Sequence, residues 1–364
     1  MEENLVKTCL HGRHVKQGAQ MSPFGGFDMP IQYAGITEEH NAVRQRVGVF
    51  DVSHMGEVRV TGKDAEKFIN HIFTNDVTEL ENGAILYGMM CYETGGTVDD
   101  LLVYKFEDKD YFLVINASNI KKDVDWITEN SKGFDVKIEN LSEYYGEVAV
   151  QGPEAESILE KVLDLKVKDL KFYHFQVFSI GDENIIVSRT GYTGEDGFEI
   201  YGSHAYIQSV WDRLMEAGVQ PCGLGCRDTL RFEVGLPLYG DELSEDITPI
   251  EASLSMFVKL DKPEFIGREA LAKQKEEGVT RRIVGIELDG NAIPRHGYPV
   301  EVDGKQIGEI TTGYRSISTG KSVAMAMIDK PFDKLGTKVE VRIRKKTFPA
   351  TVIKKRFYEK NYKK

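Results

Sequence analysis

Cysteine is scarce in this sequence, and its scarcity excludes two classes of protein. The 364 residues contain four cysteines, Cys9, Cys91, Cys222 and Cys226, too few and too scattered for a disulfide-stapled fold. Cys222 and Cys226 are separated by three residues instead of two, and no histidine follows at ligand distance. We therefore predict structural thiols and no metal site.

The sequence also has fewer basic than acidic residues and lacks long apolar runs. The chain has 46 Lys and Arg residues against 58 Asp and Glu residues, and the net charge of −12 argues against non-specific nucleic-acid binding. No apolar run approaches the roughly 20 residues that span a bilayer. Residues 1–4 begin acidic, without the apolar core of a signal peptide. We predict a cytoplasmic protein with no nucleic-acid or membrane partner.

The charge is distributed unevenly between two parts of the chain. Residues 281–364 have 19 Lys and Arg against 9 Asp and Glu, whereas residues 1–280 have 27 against 49. A chain of 364 residues also exceeds one ordinary hydrophobic core. We therefore predict an acidic body and a separate basic C-terminal domain from residue 281, which is suited to an acidic partner.

The periodicity of the apolar residues changes at the same place. Before residue 281, strand patterns alternate with helical ones, such as a helix predicted over 64–73 and another with Pro153 at its first position. After residue 281, six short strands separated by Gly, Pro or Asp are typical of a small antiparallel barrel or sandwich. The sequence predicts an α+β body of two related sheet-and-helix lobes, followed by a β domain.

Residues 95–100, Gly-Gly-Thr-Val-Asp-Asp, contain the first candidate catalytic group and lead into an apolar strand. Because neighbouring residues of a strand point to opposite faces, we expect that Asp99 and Asp100 do not both point into one pocket. A carboxyl group among apolar neighbours is suited to act on a nitrogen or a cation. The same residues are common in hairpin turns, and spacing alone favours the turn.

Residues 189–199 form the second candidate site. The glycines of this segment bring the backbone close to another group, Tyr192 offers a flat face, and Glu199 offers a bidentate acceptor. These features suit a flat heterocycle with adjacent N–H donors, such as a guanine or a pterin. The spacing is not that of a nucleotide phosphate loop, and a long hairpin loop explains the segment equally well.

Two more segments have residues that suit a binding site. Arg227 and Arg231 lie one turn apart on a predicted helix, where two guanidiniums suit either a carboxylate ligand or a salt-bridged surface. The side chains of Ser53 and His54 diverge as neighbours, so this pair is not a nucleophile with its base. Met55 is predicted to be a pocket wall or part of the core.

Taken in order, these segments resemble the glycine cleavage T-protein family, the tetrahydrofolate-dependent aminomethyltransferases. The resemblance covers essentially the whole chain and rests on residues 50–55, 95–100, 150–153, 189–199, 227–233, 238–240, 248–251 and 265–269. It implies a three-domain ring around a central folate channel. One lobe combines residues 1–52 with 143–243, the other combines 53–142 with 244–280, and residues 281–364 form the antiparallel barrel.

The resemblance also implies an activity and a set of site residues. Tetrahydrofolate takes the one-carbon unit of an aminomethyl group held on the dihydrolipoyl arm of the H-protein. Ammonia leaves, 5,10-methylenetetrahydrofolate forms, and the other glycine cleavage components are partners. Asp100 is the carboxylate near the reactive folate nitrogen, with Tyr192 and Glu199 on the pterin. The remaining implied contacts are Met55, Tyr87 and Tyr239 along the channel, and Arg227 and Tyr362 further out.

Two alternatives share the same fold family. A folate-binding subunit of a dimethylglycine or sarcosine oxidising enzyme is disfavoured, because the chain has no N-terminal dinucleotide-binding pattern, although a separate subunit could supply it. A non-enzymatic folate-binding protein of iron–sulphur cluster assembly would have a characteristic cysteine, which residues 263–269 lack.

Overall fold

The structure is a computed structural model that describes residues 5–363. Residues 1–4, on which the prediction about a signal peptide depends, lie outside the described residues. The α-helices are, in chain order, α1 (His11–Lys16), α2 (Ile36–Gln45), α3 (Ala65–Ile72), α4 (Ile120–Asn130), α5 (Ala155–Val162), α6 (His204–Glu216), α7 (Leu224–Glu233) and α8 (Arg268–Glu277). Short 3₁₀ turns cover Ala117–Asn119 and Ser255–Phe257. Within residues 5–363, no helix combines the length and the apolar character needed to cross a membrane.

The strands form two open sheets, a hairpin and a barrel. They are, in chain order, β1 (Gln20–Phe24), β2 (Phe27–Gln32), β3 (Gly48–Asp51), β4 (Gly56–Thr61), β5 (Ile85–Cys91), β6 (Thr97–Glu107), β7 (Asp110–Ile115), β8 (Lys137–Asn140), β9 (Tyr145–Gln151), β10 (Phe175–Ile180), β11 (Glu183–Ser188), β12 (Gly197–Ser203), β13 (Gln220–Cys222), β14 (Arg281–Leu288), β15 (Pro299–Val302), β16 (Lys305–Arg315), β17 (Ser322–Asp329), β18 (Lys338–Ile343) and β19 (Lys346–Ile353).

The topology confirms the predicted fold class. One sheet has the order β10-β11-β12-β9-β3-β13, and the other has the order β5-β6-β7-β4-β8. In the described part of the chain, β3 and β13 pair in parallel, and the other strand pairs are antiparallel. Strands β1 and β2 form a separate hairpin. The six C-terminal strands close a barrel in the order β14-β17-β16-β15-β18-β19, which decides between the predicted barrel and sandwich.

The two open sheets contain the same strand–glycine–helix unit. In one, β4 passes through Gly62 into α3; in the other, β9 passes through Gly152 into α5. The two glycines have φ angles of 136° and 130°, which an L side chain rarely adopts. A Cβ atom would lie 2.4 Å from the carbonyl oxygen of Asp135 at Gly62 and 2.5 Å from that of Arg46 at Gly152. This repeated unit agrees with the prediction of two related lobes.

One prediction about this unit was wrong. Helix α5 begins at Ala155 with Glu154 as its N-cap, so Pro153 lies in the preceding turn and not at the first helical position. The reason is the conformation of Gly152, whose carbonyl accepts a hydrogen bond of 3.0 Å from the amide of Ala155 and closes a separate turn. The helix predicted over 64–73 is α3, one residue shorter at each end.

The two open sheets face each other across an aromatic layer. In β6, Leu101 and Val103 pack in the core under α3, whereas Leu102 and Tyr104 point to the opposite face. In β12, Phe198 and Ile200 pack under α5 and α6, while Tyr201 joins the layer between the sheets. The phenol oxygens of Tyr104 and Tyr201 lie 2.9 Å apart, which connects the sheets directly. Alternation along both strands therefore decides which side chains enter the space between the sheets.

Candidate active site

Asp100 lies on the face of β6 that points between the sheets. The phenol of Tyr87 on β5 donates a hydrogen bond of 2.9 Å to its Oδ2 atom. The side-chain amide of Asn116, which follows β7, donates one of 2.9 Å to its Oδ1 atom. Asp100 is half-buried, so it combines a fixed orientation with access from the space between the sheets.

The environment of Asp100 makes its carboxyl group easy to protonate near neutrality. Burial is the largest cause, and the nearby negative charge of Asp99 adds to it; together they raise the pKa of Asp100 to about 7. The hydrogen bonds from Tyr87 and Asn116 act in the opposite direction, because they favour the ionised form. A group with a pKa near the working pH is well suited to accept and return a proton.

Asp99 lies on the other face of β6, as strand alternation predicts. It is fully buried, and its carboxylate accepts from the backbone N–H of Asn116 at 3.0 Å, from the side-chain amide of Asn116 at 2.9 Å and from that of Asn119 at 2.7 Å. Asn116 therefore contacts both aspartates, and our sequence analysis did not identify it. A signal was available, because an antiparallel pair formed across the polar residues 107–110 brings Asn116 beside the Asp pair.

The glycines of segment 189–199 bring the backbone close to a protein side chain, Gln151. A Cβ atom at Gly191 or Gly197 would lie within 2.0 or 2.5 Å of the side chain of Gln151. The Gln151 amide donates to the carbonyl of Thr190 at 3.0 Å and accepts from the hydroxyl of Thr193 at 2.8 Å. Because these glycines have no side chain, the buried Gln151 amide can approach the loop backbone and fix the loop conformation.

The fixed loop carries Tyr192 and leads into β12, where Glu199 lies on the same face as Tyr201, towards the space between the sheets. Glu199 is 6% exposed and accepts a short hydrogen bond from the hydroxyl of Thr190 at Oε2. Burial raises the pKa of Glu199, partly offset by that hydrogen bond and by the positive charge of Arg227. The phenol of Tyr192 donates to the carbonyl of Pro237, and the Arg227 guanidinium lies 4.9 Å from the centre of the Tyr192 ring. An acidic group, a flat ring and a cation are thus placed together.

Arg231, by contrast, is not available to a ligand. Its side chain is fully buried, and its guanidinium contacts the carboxylates of Asp228 at 2.7 Å, Glu242 at 2.8 Å and Asp241 at 3.5 Å. The structure therefore assigns Arg231 to the salt-bridged alternative that the sequence left open. Only Arg227 of the two arginines is half-buried beside the candidate site.

Met55 and His54 lie beside this group of residues. Met55 is half-buried and packs against two apolar clusters, one of which is the layer between the sheets. His54 is buried, and no donor or acceptor within residues 5–363 reaches its Nδ1 atom. Burial, helped by the charge of Arg227, lowers the pKa of His54 to about 4. His54 is therefore a neutral wall residue near pH 7.

Tyr239 and Tyr362 lie towards opposite parts of the site. The hydroxyl of Tyr239 receives a hydrogen bond of 3.2 Å from Lys122, and the pKa of Tyr239 is raised to about 12 by burial and by nearby carboxylates that include Asp100. Tyr362 stacks on Phe172 with the ring centres 4.4 Å apart. Burial raises the pKa of Tyr362 to about 12 and the charge of Glu199 adds to this effect, so the C-terminal tail reaches the Glu199 side.

One group of side chains in the described part of the chain resembles a set of metal ligands. Atoms of Glu39, Cys222 and Cys226 lie within 4.8 Å of one another, and all three residues are buried. The Glu39 carboxylate already accepts hydrogen bonds from three backbone N–H groups. Both thiols also pack in an apolar cluster. This geometry agrees with structural cysteines.

Comparison with known proteins places this geometry in a family. The chain matches the GCVT N-terminal domain over residues 10–262 and the glycine cleavage T-protein C-terminal barrel domain over residues 281–359. It is 50% identical to an aminomethyltransferase of Caldanaerobacter subterraneus subsp. tengcongensis, over 100% of this chain and 98% of that protein. It is 49% identical to an aminomethyltransferase of Alkaliphilus oremlandii, over 99% of each.

A solved structure gives the same result for the fold. The crystal structure of glycine cleavage system aminomethyltransferase T from Bartonella henselae has a TM-score of 0.94 and 31% identity, over 99% of this chain and 100% of that one. Such full-length matches define the class of enzyme as an aminomethyltransferase. The chain belongs to the glycine cleavage T-protein family, whose members act in the glycine cleavage system.

Proposed function

We propose that the acceptor substrate of this aminomethyltransferase is tetrahydrofolate and that the donor is an aminomethyl group on the lipoyl arm of an H-protein. The observation that carries the proposal is Asp100, a half-buried carboxyl group with a pKa of about 7 between two hydrogen-bond donors. The products are ammonia, 5,10-methylenetetrahydrofolate and the free dihydrolipoyl arm.

Asp100 acts on the charge that develops at the transferred carbon. When the carbon–sulphur bond breaks, the electron pair leaves with the sulphur, and the carbon becomes iminium-like and positive. A carboxylate close to this carbon stabilises it electrostatically. The same group accepts the proton of the first folate nitrogen as that nitrogen bonds to the carbon, and its pKa near 7 allows it to return the proton to the departing amine. Ammonia then leaves, the second folate nitrogen bonds to the carbon, and the proton of that nitrogen neutralises the dihydrolipoyl thiolate.

Glu199 and Tyr192 suit the pterin end of the substrate. Glu199 accepts at Oε2 from the hydroxyl of Thr190, and no protein group within residues 5–363 donates a hydrogen bond to Oε1. An acceptor oxygen of this kind matches the adjacent N–H groups of a pterin, which pair well with a carboxylate. The Tyr192 ring offers a flat face, and the Arg227 guanidinium over it adds positive charge.

The other sequence-predicted residues complete the proposed channel. Tyr87 and Tyr239 pack at the edge of one apolar cluster, and Met55 packs at the edge of two others. Holding the two reactants in line accounts for much of the remaining rate enhancement. We place Arg227 and Tyr362 further along the substrate, away from the reacting nitrogen.

The domain borders and the partners follow from the same proposal. We propose lobes built from residues 1–52 with 143–243 and from 53–142 with 244–280, and a barrel domain at 281–364. The H-protein and the remaining glycine cleavage components are the proposed partners. The surplus of Lys and Arg after residue 281 supports a role of the barrel in meeting an acidic lipoyl protein.

The test is an assay of ammonia release from aminomethylated lipoyl protein, with and without tetrahydrofolate. We expect ammonia and methylenetetrahydrofolate to form in equal amounts, and only when both substrates are present. Folate binding without turnover would contradict the proposal and favour a folate-binding accessory protein. Turnover of dimethylglycine or sarcosine with an added flavoprotein subunit, but not of the lipoyl substrate, would favour the oxidising-enzyme alternative.

A further inference from the structure

A second pair of carboxyl groups lies behind the reactive one. Asp99 and Asp123 are both fully buried, Asp99 on β6 and Asp123 in the first turn of α4. Three amide N–H groups already donate to Asp99, whereas no donor within residues 5–363 forms a hydrogen bond with either oxygen of Asp123. A buried carboxylate that no donor reaches is very costly to ionise, and more so near a second buried carboxylate, so one of the two must hold a proton.

The surroundings decide which of the two holds it. Asp99 is saturated with donors that favour a charged acceptor. Burial is the largest cause that raises the pKa of Asp123, followed by its hydrogen bond with Asp99 and the charge of Asp99, and together they bring it to about 11. Asp123 is therefore protonated near neutrality and donates its O–H to Asp99.

A lysine close to Asp123 does not reverse this assignment. The Nζ atom of Lys122 lies 3.6 Å from Oδ1 of Asp123, beyond a good hydrogen bond. Its donors go instead to the carbonyl of Val98 and, at 3.2 Å, to the hydroxyl of Tyr239. Lys122 therefore offsets only part of the effect of burial on Asp123.

We propose that Asp123 and Asp99 form a proton-sharing carboxyl pair that holds one fixed negative charge behind Asp100 and thereby keeps Asp100 able to accept and return a proton. Asn116 connects the pair to the reactive group, since its amide donates to Oδ1 of Asp99 and to Oδ1 of Asp100, both at 2.9 Å. Asp99, Asp123 and Asn116 are thus positioning residues. Because Asp100 is the reactive group of the proposed function, their role in transfer rests on that function.

Other charged and titratable groups face the same region. Asp100 is also faced by Tyr87 from β5, by Tyr192 from the loop after β11 and by Tyr239 from the loop after α7. Burial raises the pKa of each of these tyrosines, so all three are neutral at pH 6–8. The remaining groups near the pair are Lys122, Tyr92 and Glu245. After burial, the charge of Asp99 is therefore what raises the pKa of Asp100.

The test is a pH titration of Asp100 in the folate-free enzyme. The carboxyl signals of ¹³C-labelled aspartate are monitored by NMR, and the Asp100 signal is identified by its absence in Asp100→Asn. We expect a midpoint near 7 in the wild type. Asp99→Asn removes the fixed charge, so the midpoint should fall by about one pH unit or more. An unchanged midpoint in a folded Asp99→Asn variant would overturn the proposal.

Asp123 provides a matched pair of variants that keeps the test decisive if Asp99→Asn does not fold. Asp123→Asn retains an N–H donor to Asp99 and should leave the Asp100 midpoint near that of the wild type. Asp123→Ala removes this donor, so the fixed charge behind Asp100 loses one of its contacts, and the Asp100 midpoint should differ from that of Asp123→Asn. Equal midpoints in the two variants would overturn the proposal. The titration needs neither folate nor lipoyl protein, so its failure is distinguishable from failure of the transfer reaction.

Discussion

Tyr87 donates its phenol hydrogen to Oδ2 of Asp100 at 2.9 Å, across the β5–β6 pair. This bond favours the ionised form of a carboxyl group whose burial favours the neutral form. The balance between the two effects keeps the pKa of Asp100 near the physiological range. Tyr87 is therefore predicted to tune the reactive group in addition to lining the channel.

Tyr87→Phe should move the pH dependence of transfer. Loss of the hydrogen bond raises the pKa of Asp100, so a smaller fraction is ionised at pH 7. We expect kcat at pH 7 to fall roughly 3- to 10-fold and to recover above about pH 8.5, since one pKa unit is tenfold in the ionised fraction below the pKa. The measurement is a pH–rate profile from pH 6 to 9.

Tyr111→Phe is the matched control for this prediction, because the hydroxyl of this buried tyrosine also bonds to a carboxylate, that of Glu66, on the other side of the sheet. Its profile should equal that of the wild type. A Tyr87→Phe profile with an unchanged acid limb would show that the hydrogen bond does not tune Asp100.

Asp100→Asn should abolish most transfer and leave folate binding intact. The amide retains the size of the side chain but removes its negative charge and its capacity to accept a proton. We expect kcat to fall by about 10²- to 10⁴-fold, while the folate Kd, measured by calorimetry, changes little. Asp110→Asn is the control, since Asp110 pairs with Arg59 at the far end of the β6–β7 hairpin. Near-normal turnover of Asp100→Asn would remove this residue from the mechanism.

Much of the fold could be predicted from periodicity, because the spacing of apolar residues within one strand or helix is visible in a short stretch of sequence. The six barrel strands and α3 are found where alternation and helical spacing placed them. Pro153 was placed wrongly because the turn before α5 is also held by the amide of Glu154, which donates to the distant carbonyl of Arg46 at 3.0 Å. A contact between residues far apart in sequence leaves no local pattern.

Site residues could be predicted from the sequence where the residues that define their role lie in the same short segment. Asp100 and Glu199 belong to compact motifs, and strand alternation separated Asp100 from Asp99. Gln151 was missed because the glycines that reveal its importance lie about 40 residues away, in another segment. Arg231 could not be distinguished from Arg227 by spacing, because the carboxylate of Glu242 that buries it comes from the following loop.

Glu199→Gln should weaken folate binding more than it slows turnover. The substitution replaces one acceptor oxygen with a donor, which opposes the N–H groups of a pterin. Loss of a charge-assisted hydrogen bond corresponds to about 1.5–3 kcal/mol, so KM for folate should rise roughly 10- to 100-fold with a smaller change in kcat. Glu309→Gln, an exposed strand residue on the barrel, is the control. An unchanged KM would place the pterin elsewhere.

Glu233 should link the barrel to the body in a pH-dependent way. Burial opposes its ionisation, but its contacts with His40, Ser316 and Ser318 outweigh burial and lower the pKa of Glu233 to about 2. A carboxyl group whose pKa is depressed on folding contributes stability above its unfolded pKa of about 4.5, and this is lost as the pH falls towards 2. Stability of the wild type should therefore decrease over this window.

Glu233→Gln tests this assignment. The variant should be less stable by about 3–5 kcal/mol at pH 7, because Arg44 and the serines lose a buried charged partner. The difference from the wild type should shrink as the pH falls from 4.5 towards 2. The measurement is the urea midpoint at several pH values, with exposed Glu79→Gln as control. A constant difference at all pH values would contradict the role given to ionised Glu233.

The turn between β18 and β19 offers the clearest test of docking by the basic domain. Arg342 is not suited to the test, because its guanidinium is bound to Glu301 at 2.6 and 2.7 Å. Lys345 and Lys346 are exposed. Reversing both charges to Glu should raise KM for the lipoyl protein several-fold at low salt and leave kcat unchanged, because rim charges mainly steer association.

Salt and a matched variant separate docking from a general charge effect. The KM difference should shrink between 50 mM and about 500 mM salt, since the interaction range falls as the Debye length shortens. Reversal of Lys166 and Lys168, which are exposed on the body, changes the net charge equally and should leave KM near the wild-type value. Equal increases from both double variants would mean that the acidic partner senses only the total charge of the chain. No increase from either would place the docking surface away from the barrel turn.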